Sequence, residues 1–139
     1  NWVFVDWPPR KMSKDGELAF EQLVYLRSLQ TMQQCAELVE NTGDAEHYEK
    51  QAKQLSELII PTFWNAEKGA MMHHTKCGQL QDEVTRYANM FAVLYDILDE
   101  SQRQSVLKNV LQNDSVMKIT TPYMRFYELE ALCALGQQK

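Results

Sequence analysis

The sequence has few cysteines, no cluster of basic residues and no long apolar run, and each absence excludes a class of protein. Three cysteines are an odd number without close spacing, so neither a fully paired disulfide framework nor a CxxC site is expected, and the thiols indicate no compartment. The net charge of −5 and the lack of a basic run argue against a nucleic-acid partner. The longest apolar run, Met90–Tyr95, is too short to span a membrane, and the opening residues do not resemble a signal peptide. One soluble globular domain is the expected class.

Hydrophobic periodicity predicts an all-α chain built of antiparallel helical hairpins. The five predicted helices span Glu17–Glu40, Ala45–Phe63, Gln81–Leu98, Gln102–Gln112 and a stretch from Thr120 or Thr121 to Gly136. Between the first two, Gly43 is the predicted stop signal and Asp44 the predicted N-cap. Pro122 suits the first turn of the fifth helix. The segment Asn65–Leu80 has no helical period and is predicted to be a long loop with a small β-hairpin.

Three of the predicted helices carry apolar residues that we expect to face the core. In the first helix these are Tyr25, Leu29, Met32, Ala36 and Val39. In the second helix they are Ala45, Tyr48, Ala52, Leu55 and Ile59. In the fifth helix they are Phe126, Leu129, Leu132, Cys133 and Leu135.

The helix predicted at Gln81–Leu98 is the most informative stretch of the sequence. Its second half is apolar on every side, which is typical of a helix buried among neighbours. Its first turns place Asp82, Arg86 and Asn89 on one face, with Tyr87 beside them. Two interpretations follow: a polar binding site at the start of a buried helix, or a surface Asp82–Arg86 ion pair at the end of a core helix.

Asp6-Trp7 precedes two prolines and pairs a carboxylate with an indole. Such a pair suits a sugar, because the carboxylate accepts hydrogen bonds from hydroxyl groups and the indole covers the apolar face of the ring. The alternative is a core tryptophan beside a capping aspartate.

Other chemistry-bearing residues form weaker patterns. His73, His74 and Cys77 lack a fourth ligand, and adjacent histidines are expected to point in different directions, so no metal and no cofactor are predicted. Glu128 and Glu130 lie two positions apart on a helix and face different directions, so they are predicted to be solvent-exposed or helix-packing groups. The sequence contains no Ser-His-Asp order and no glycine-rich phosphate loop.

Several segments, in order, resemble motifs of the bacterial α-L-rhamnosidases. Phe4–Pro8 resembles their GDWL-type loop, and Ala36–Tyr48 resembles a hairpin of the form AE-x5-GD-A-x-x-Y, followed by F-x-N at Phe63–Asn65. Arg86–Leu94 resembles their SQHAN-x-x-A-x-L helix, and Thr121–Gly136 resembles their TPY-F…Y-x-L-x-AL…G helix. The order and spacing hold across nearly the whole chain.

The resemblance implies that residues 1–139 are one fragment of an (α/α)6 six-hairpin glycosidase catalytic domain, a partial barrel of about five helices. Such enzymes remove terminal α-L-rhamnose, or a similar sugar, from glycans or glycosides by inverting hydrolysis. The family's general acid lies in a D-x-x-x-E-R-type motif before the DW loop, and its general base lies in a W-E segment after the TPY helix. Neither motif occurs in this sequence. The chain is therefore expected to be an internal slice that carries no catalytic residue and is inactive alone.

Carried over residue by residue, the resemblance implies the sugar-binding residues Asp6, Trp7, Arg86, Tyr87, Asn89 and Tyr123. Val5 replaces the glycine before the family's DW, and Arg86-Tyr87 replaces its Gln-His, so the exact sugar stays open. The expected partners are a carbohydrate substrate and the remainder of the parent catalytic domain, with no nucleic acid and no membrane. Self-association through exposed apolar helix faces is also predicted.

A helical-repeat interaction module of the tetratricopeptide kind is the alternative function. The paired helices with Ala36, Tyr48 and Ala52 support it. No repeat of about 34 residues recurs along the chain, although stacked modules of this kind require one.

Overall fold

The computed structural model describes residues 6–7 and 11–137, and within these the regular structure is five α-helices and two small antiparallel sheets. The helices are α1 (Ala19–Leu38), α2 (Thr42–Phe63), α3 (Arg86–Leu94), α4 (Glu100–Val106) and α5 (Pro122–Ala134), and a π-helical segment, Leu107–Leu111, continues α4. The strands are β1 (Glu17–Leu18), β2 (Trp64–Asn65), β3 (Ala70–Met71), β4 (His74–Lys76) and β5 (Gln79–Leu80). The all-α prediction, with helices arranged as antiparallel hairpins, is confirmed.

The turn between α1 and α2 uses a different cap from the one predicted. Glu40 adopts a left-handed conformation with φ of 55°, which stops α1. The side chain of Asn41 then accepts a hydrogen bond from the Asp44 amide at 3.2 Å and donates one to the Asp44 carboxylate at 2.8 Å. Asn41 is therefore the N-cap, and Asp44 and Gly43 lie inside the first turn of α2.

The predicted apolar stripe is correct for α2 and partly wrong for α1. In α2, Ala52 and Ile59 are buried as expected. In α1, Leu29 and Ala36 are buried, whereas Tyr25, Met32 and Val39 are 53%, 46% and 74% exposed. The α1 sequence carries apolar residues on several faces, so periodicity alone does not select one. The inward face consists of Ala19, Leu23, Leu26, Leu29 and Ala36.

The region between α2 and α3 contains the predicted β-hairpin. β4 and β5 pair through a two-residue turn, Cys77-Gly78, in which both residues have positive φ, as tight hairpin turns of this kind require. β1 pairs with β4, which attaches the start of α1 to this hairpin. β2 and β3 form the second sheet.

Helix α3 begins five residues later than predicted. The Glu83 carbonyl accepts a hydrogen bond from the His73 amide at 2.7 Å, and Val84 forms a β-bridge with Met72, so the chain is extended up to Thr85. Asp82 consequently lies outside the helix, where it pairs with Lys68. The predicted face shared by Asp82 and two residues of α3 is therefore wrong.

The burial predicted for α3 is confirmed, because every residue from Arg86 to Val93 is buried. α3 packs against both α1 and α5 through aromatic contacts. The Phe91 ring lies 5.1 Å from the Phe20 ring and 5.1 Å from the Tyr127 ring, centroid to centroid. Among the described residues, no helix is both long and apolar enough to cross a membrane.

Helices α4 and α5 start at caps that the sequence partly predicts. Asp99 and Gln102 form a capping box, so the predicted break before α4 is its N-cap. Thr121 precedes α5 and Pro122 occupies its first turn, as predicted. The predicted core of α5 is partly wrong: Phe126 and Leu129 are 58% and 48% exposed and Cys133 is exposed, whereas Leu132 and Leu135 are partly buried and pack against the core. The buried residues of α5 are Met124, Glu128 and Ala131.

The junction of β1, α1 and β4 depends on a glycine. Gly16 and Gly78 both have left-handed φ, 74° and 72°. A Cβ atom at Gly16 would overlap the Thr75 carbonyl oxygen on β4, whereas one at Gly78 would meet open space.

We expect Gly78→Ala to lower the free energy of unfolding by about 1 kcal/mol through backbone strain. Gly16→Ala should cost about 1–3 kcal/mol more because of the overlap. Equal losses in urea unfolding would contradict this packing.

Candidate functional site

Asp6 ties the described N-terminal residues to two helices. Its side chain is buried, and its carboxylate accepts a hydrogen bond from the Tyr87 hydroxyl at 2.7 Å. The Thr121 hydroxyl lies 2.7 Å from both carboxylate oxygens. Thr121 is the N-cap residue of α5, but its side chain binds Asp6 instead of the helix amides. A carboxylate at this helix end is also favoured by the helix dipole.

Tyr87 is the buried partner of Asp6 on α3. Its side chain is 1% exposed. Burial, followed by the hydrogen bond to the Asp6 carboxylate, raises the pKa of the Tyr87 phenol above its ordinary value. The phenol therefore remains a hydrogen-bond donor at neutral and moderately alkaline pH.

Arg86 makes the second link between α3 and α5. Its Nη1 donates to the Glu128 carboxylate at 2.5 Å, and its Nη2 donates to the Asn113 carbonyl at 3.1 Å. Arg86 is 4% exposed and Glu128 is 0% exposed, so this ion pair is screened little by solvent. Arg125 binds the other oxygen of Glu128. The Nε of Arg86 is buried without a partner among the described residues.

Asn89 is fully buried, and its amide group holds two chain segments. Its Oδ1 accepts a hydrogen bond from the Met71 amide at 2.8 Å, and its Nδ2 donates to the carbonyls of Met71 and Thr85 at 2.9 and 2.8 Å. These bonds attach the N-terminal turn of α3 to β3. Both amide hydrogens are used and the side chain is 0% exposed, so no part of it faces solvent.

Trp7 and Tyr123 are the two predicted sugar-binding residues that reach solvent. Trp7 is 72% exposed and directly follows the anchored Asp6. Tyr123 is 62% exposed and lies two residues after Thr121, whose hydroxyl binds the Asp6 carboxylate. The bonds that Tyr87 and Thr121 make to Asp6 are together called the Asp6 anchor. The Tyr123 ring contacts the Tyr127 ring edge-on at 5.7 Å between centroids, and Tyr127 in turn packs on Phe91. Tyr123 is thereby supported from the core.

The structure therefore separates the six predicted residues into two groups. Asp6, Arg86, Tyr87 and Asn89 are buried and bound to the protein's own groups, whereas Trp7 and Tyr123 are exposed.

Neither the bond between Thr121 and Asp6 nor the ion pair between Arg86 and Glu128 was predicted from the sequence. The ion pair could have been inferred from Arg86, because an arginine within a wholly buried helix requires a counter-ion from another element. Glu130, the other glutamate of α5, is exposed as predicted.

The buried Tyr87 phenol predicts how stability depends on alkaline pH. Its pKa is raised in the folded protein, so above pH 10 the unfolded chain loses this proton before the folded one does. Unfolding is then favoured, and the contribution of Tyr87 to stability is lost as pH rises. At neutral pH, Tyr87→Phe should cost about 2 kcal/mol, since a hydrogen bond to a carboxylate is lost.

The difference between wild type and Tyr87→Phe should shrink above pH 10 in urea unfolding. Tyr25→Phe alters an exposed ring on α1 and serves as the matched control, with the same pH dependence as the wild type. A constant difference between wild type and Tyr87→Phe across the pH range would contradict the buried donor assigned to Tyr87.

Comparison with known proteins identifies the family to which this chain is similar. The family model for the bacterial alpha-L-rhamnosidase 6 hairpin glycosidase domain matches residues 1–121. No protein of curated function matches the chain.

Solved structures with the same fold include a GH78 family rhamnosidase of Bacillus sp. GL1, with 23% sequence identity and a TM-score of 0.84. They also include a rhamnosidase from Klebsiella oxytoca with rhamnose bound, with 23% identity and a TM-score of 0.74. Each comparison covers 99% of this chain, but only 15% of the Bacillus chain and 25% of the Klebsiella chain. At this identity the likeness shows the fold. Because the family model covers most of its length, the chain belongs to the bacterial α-L-rhamnosidase six-hairpin glycosidase family.

Proposed function

We propose that this chain is an inner part of a glycoside hydrolase catalytic domain that removes terminal α-L-rhamnose, or a similar sugar, by inverting hydrolysis. Its part in the reaction is to hold the sugar. The observation that carries the proposal is the Asp6 anchor, which fixes the exposed Trp7 next to α3 and to the start of α5. The family match favours this function over the helical-repeat interaction module.

The burial of the predicted site residues divides their roles. Trp7 and Tyr123 offer exposed aromatic faces, which suit the apolar side of a sugar ring. Asp6 and Tyr87 position these aromatics, and Arg86 acts one step further away by fixing α5 against α3. Asn89 holds the backbone at the start of α3. These four are proposed as positioning residues rather than as sugar contacts.

The general acid and base are proposed to lie elsewhere in the parent domain. Inversion requires two carboxylates roughly 6.5–9.5 Å apart, with room for a water molecule at the sugar. The buried carboxylates among the described residues are Asp6 and Glu128. Both carboxylate oxygens of each are bound to protein donors, namely hydroxyl groups at Asp6 and guanidinium groups at Glu128. Neither has a carboxylate oxygen left unbound for contact with a substrate.

The remainder of the parent domain is the proposed partner of the exposed apolar side chains. On α1 and α2 these include Leu38, Val39 and Leu58, which are 85%, 74% and 61% exposed, and on α5 they include Phe126 and Leu129. Apolar surface of this kind marks an interaction site. The same faces would support self-association of the chain in isolation.

The isolated chain should bind L-rhamnose weakly and should not hydrolyse 4-nitrophenyl α-L-rhamnoside. An NMR titration with L-rhamnose should shift the Trp7 indole and Tyr123 ring resonances, because these are the exposed aromatics beside the Asp6 anchor. Tyr123→Ala should abolish the shifts, whereas Tyr25→Ala, which removes a comparably exposed ring on α1, should leave them unchanged.

D-Rhamnose, the mirror-image sugar, is the matched ligand control and should produce smaller shifts. Equal shifts in the Tyr123→Ala and Tyr25→Ala variants would contradict the sugar site. Release of 4-nitrophenol by the isolated chain would contradict the assignment of the acid and base to other parts of the parent domain.

A further inference from the structure

Two histidines and a glutamate come together where the segment before α3 crosses the β-hairpin. The ligand atoms of His73, His74 and Glu83 lie within 4.8 Å of one another. His73 is 0% exposed and His74 is 6% exposed, while the Glu83 side chain retains 29% exposure. The backbone hydrogen bond from the His73 amide to the Glu83 carbonyl holds the start of the β-hairpin in register with the segment before α3.

His74 has an unsatisfied buried nitrogen that faces this cluster. Its Nδ1 is buried with no hydrogen-bond partner among residues 6–7 and 11–137, and it lies 3.4 Å from the Glu83 carboxylate. An unpaired buried polar atom costs free energy, and a bound ion would supply the missing partner of this nitrogen. Two atoms bound to one tetrahedral zinc ion at roughly 2.0–2.1 Å are separated by about 3.4 Å. The gap between His74 and Glu83 matches that spacing.

His73 already has the outer contacts of a metal-bound histidine. Its Nε2 lies 2.9 Å from the Ser13 carbonyl, and its Nδ1 lies 3.3 Å from the Thr85 hydroxyl. Whichever nitrogen binds a metal, the other keeps a hydrogen-bond partner that fixes the ring orientation and the tautomer. The Ser13 amide also lies 3.4 Å from the Glu83 carboxylate and helps to place it.

Two geometric features bear on whether these histidines can share a ligand. β4 begins at His74, so His73 lies outside the strand, and the two rings approach to 5.5 Å between centroids. The third ligand candidate is Glu83, whereas Cys77 is exposed in the hairpin turn. Neither the ring approach nor the contribution of Glu83 follows from residue spacing.

We propose that His73, His74 and Glu83 bind a divalent transition-metal ion, with zinc as the preferred ion. Two imidazole nitrogens favour zinc over calcium or magnesium, which take oxygen ligands. A cavity of about 370 Å³ is lined in part by Glu83 and Thr85, so the Glu83 carboxylate, the partly exposed ligand, faces solvent, and a water molecule is the proposed fourth ligand. The ion joins the segment at Ser13, the β-hairpin and the start of α3, and this role is independent of the sugar proposal.

Zinc binding to the metal-free protein can be measured by competition with a chromophoric chelator. The wild type should bind one zinc ion more than Glu83→Gln or His74→Asn, and zinc should raise its melting temperature by mass action. His47→Asn removes an exposed histidine of α2, and Cys77→Ser removes the nearest thiol in sequence, so both should bind as the wild type does.

The partly exposed Glu83 makes Glu83→Gln a variant that keeps the test valid even if His74→Asn fails to fold. Equal zinc uptake by the wild type and Glu83→Gln would overturn the proposal. Loss of binding in His47→Asn or Cys77→Ser would assign the ion to surface groups and would overturn it as well. If cobalt replaces zinc and the spectrum shows an absorption band from a thiolate ligand, a cysteine binds the ion, and the proposal is overturned.

Discussion

The rest of this structure depends on a buried ion pair between Arg86 of α3 and Glu128 of α5. Removing two charges from water costs several kcal/mol, and the cost is recovered only where the remaining hydrogen-bonding groups also find partners. Here Asn113 binds the Arg86 Nη2 and Arg125 binds the second Glu128 oxygen, while the Arg86 Nε is left without a partner among the described residues. The pair explains the orientation of α5. Because Glu128 must face α3, Met124 and Ala131 become the buried face, and the apolar residues Phe126 and Leu129 remain exposed.

The polar residues at the start of α3 have one explanation. Polar side chains project from different faces of a helix that is buried on every side. Each of them therefore needs a hydrogen-bonding partner on a different neighbouring element. Arg86 reaches α5, Tyr87 reaches Asp6, and Asn89 reaches β3. The polar residues are therefore connections between elements, and the proposed sugar contacts are the exposed aromatic side chains beside them.

Local signals in the sequence predicted the features that depend on neighbouring residues. The hairpin of α1 and α2 and the β-hairpin before α3 follow from turn chemistry, and the start of α5 at Thr121-Pro122 follows from the proline in its first turn. The features that depend on distant residues were missed. The start of α3 is set by the pairing of its preceding segment with Met72 and His73, and the buried face of α5 is set by Arg86. Within the candidate site, the sequence identified Asp6 and Tyr87 but not their bond to each other or to Thr121.

The central claim is that the charges of Arg86 and Glu128 act as one unit that joins α3 to α5. A double-mutant cycle in urea unfolding with Arg86→Met and Glu128→Leu tests it most directly. Glu128→Leu leaves the buried Arg86 charge without its partner and should cost about 3–5 kcal/mol, and Arg86→Met leaves Glu128 with only the partly exposed Arg125, whereas the double substitution removes both buried charges. The account predicts that the double variant is more stable than either single variant. A double variant that loses the sum of the two single losses would contradict it.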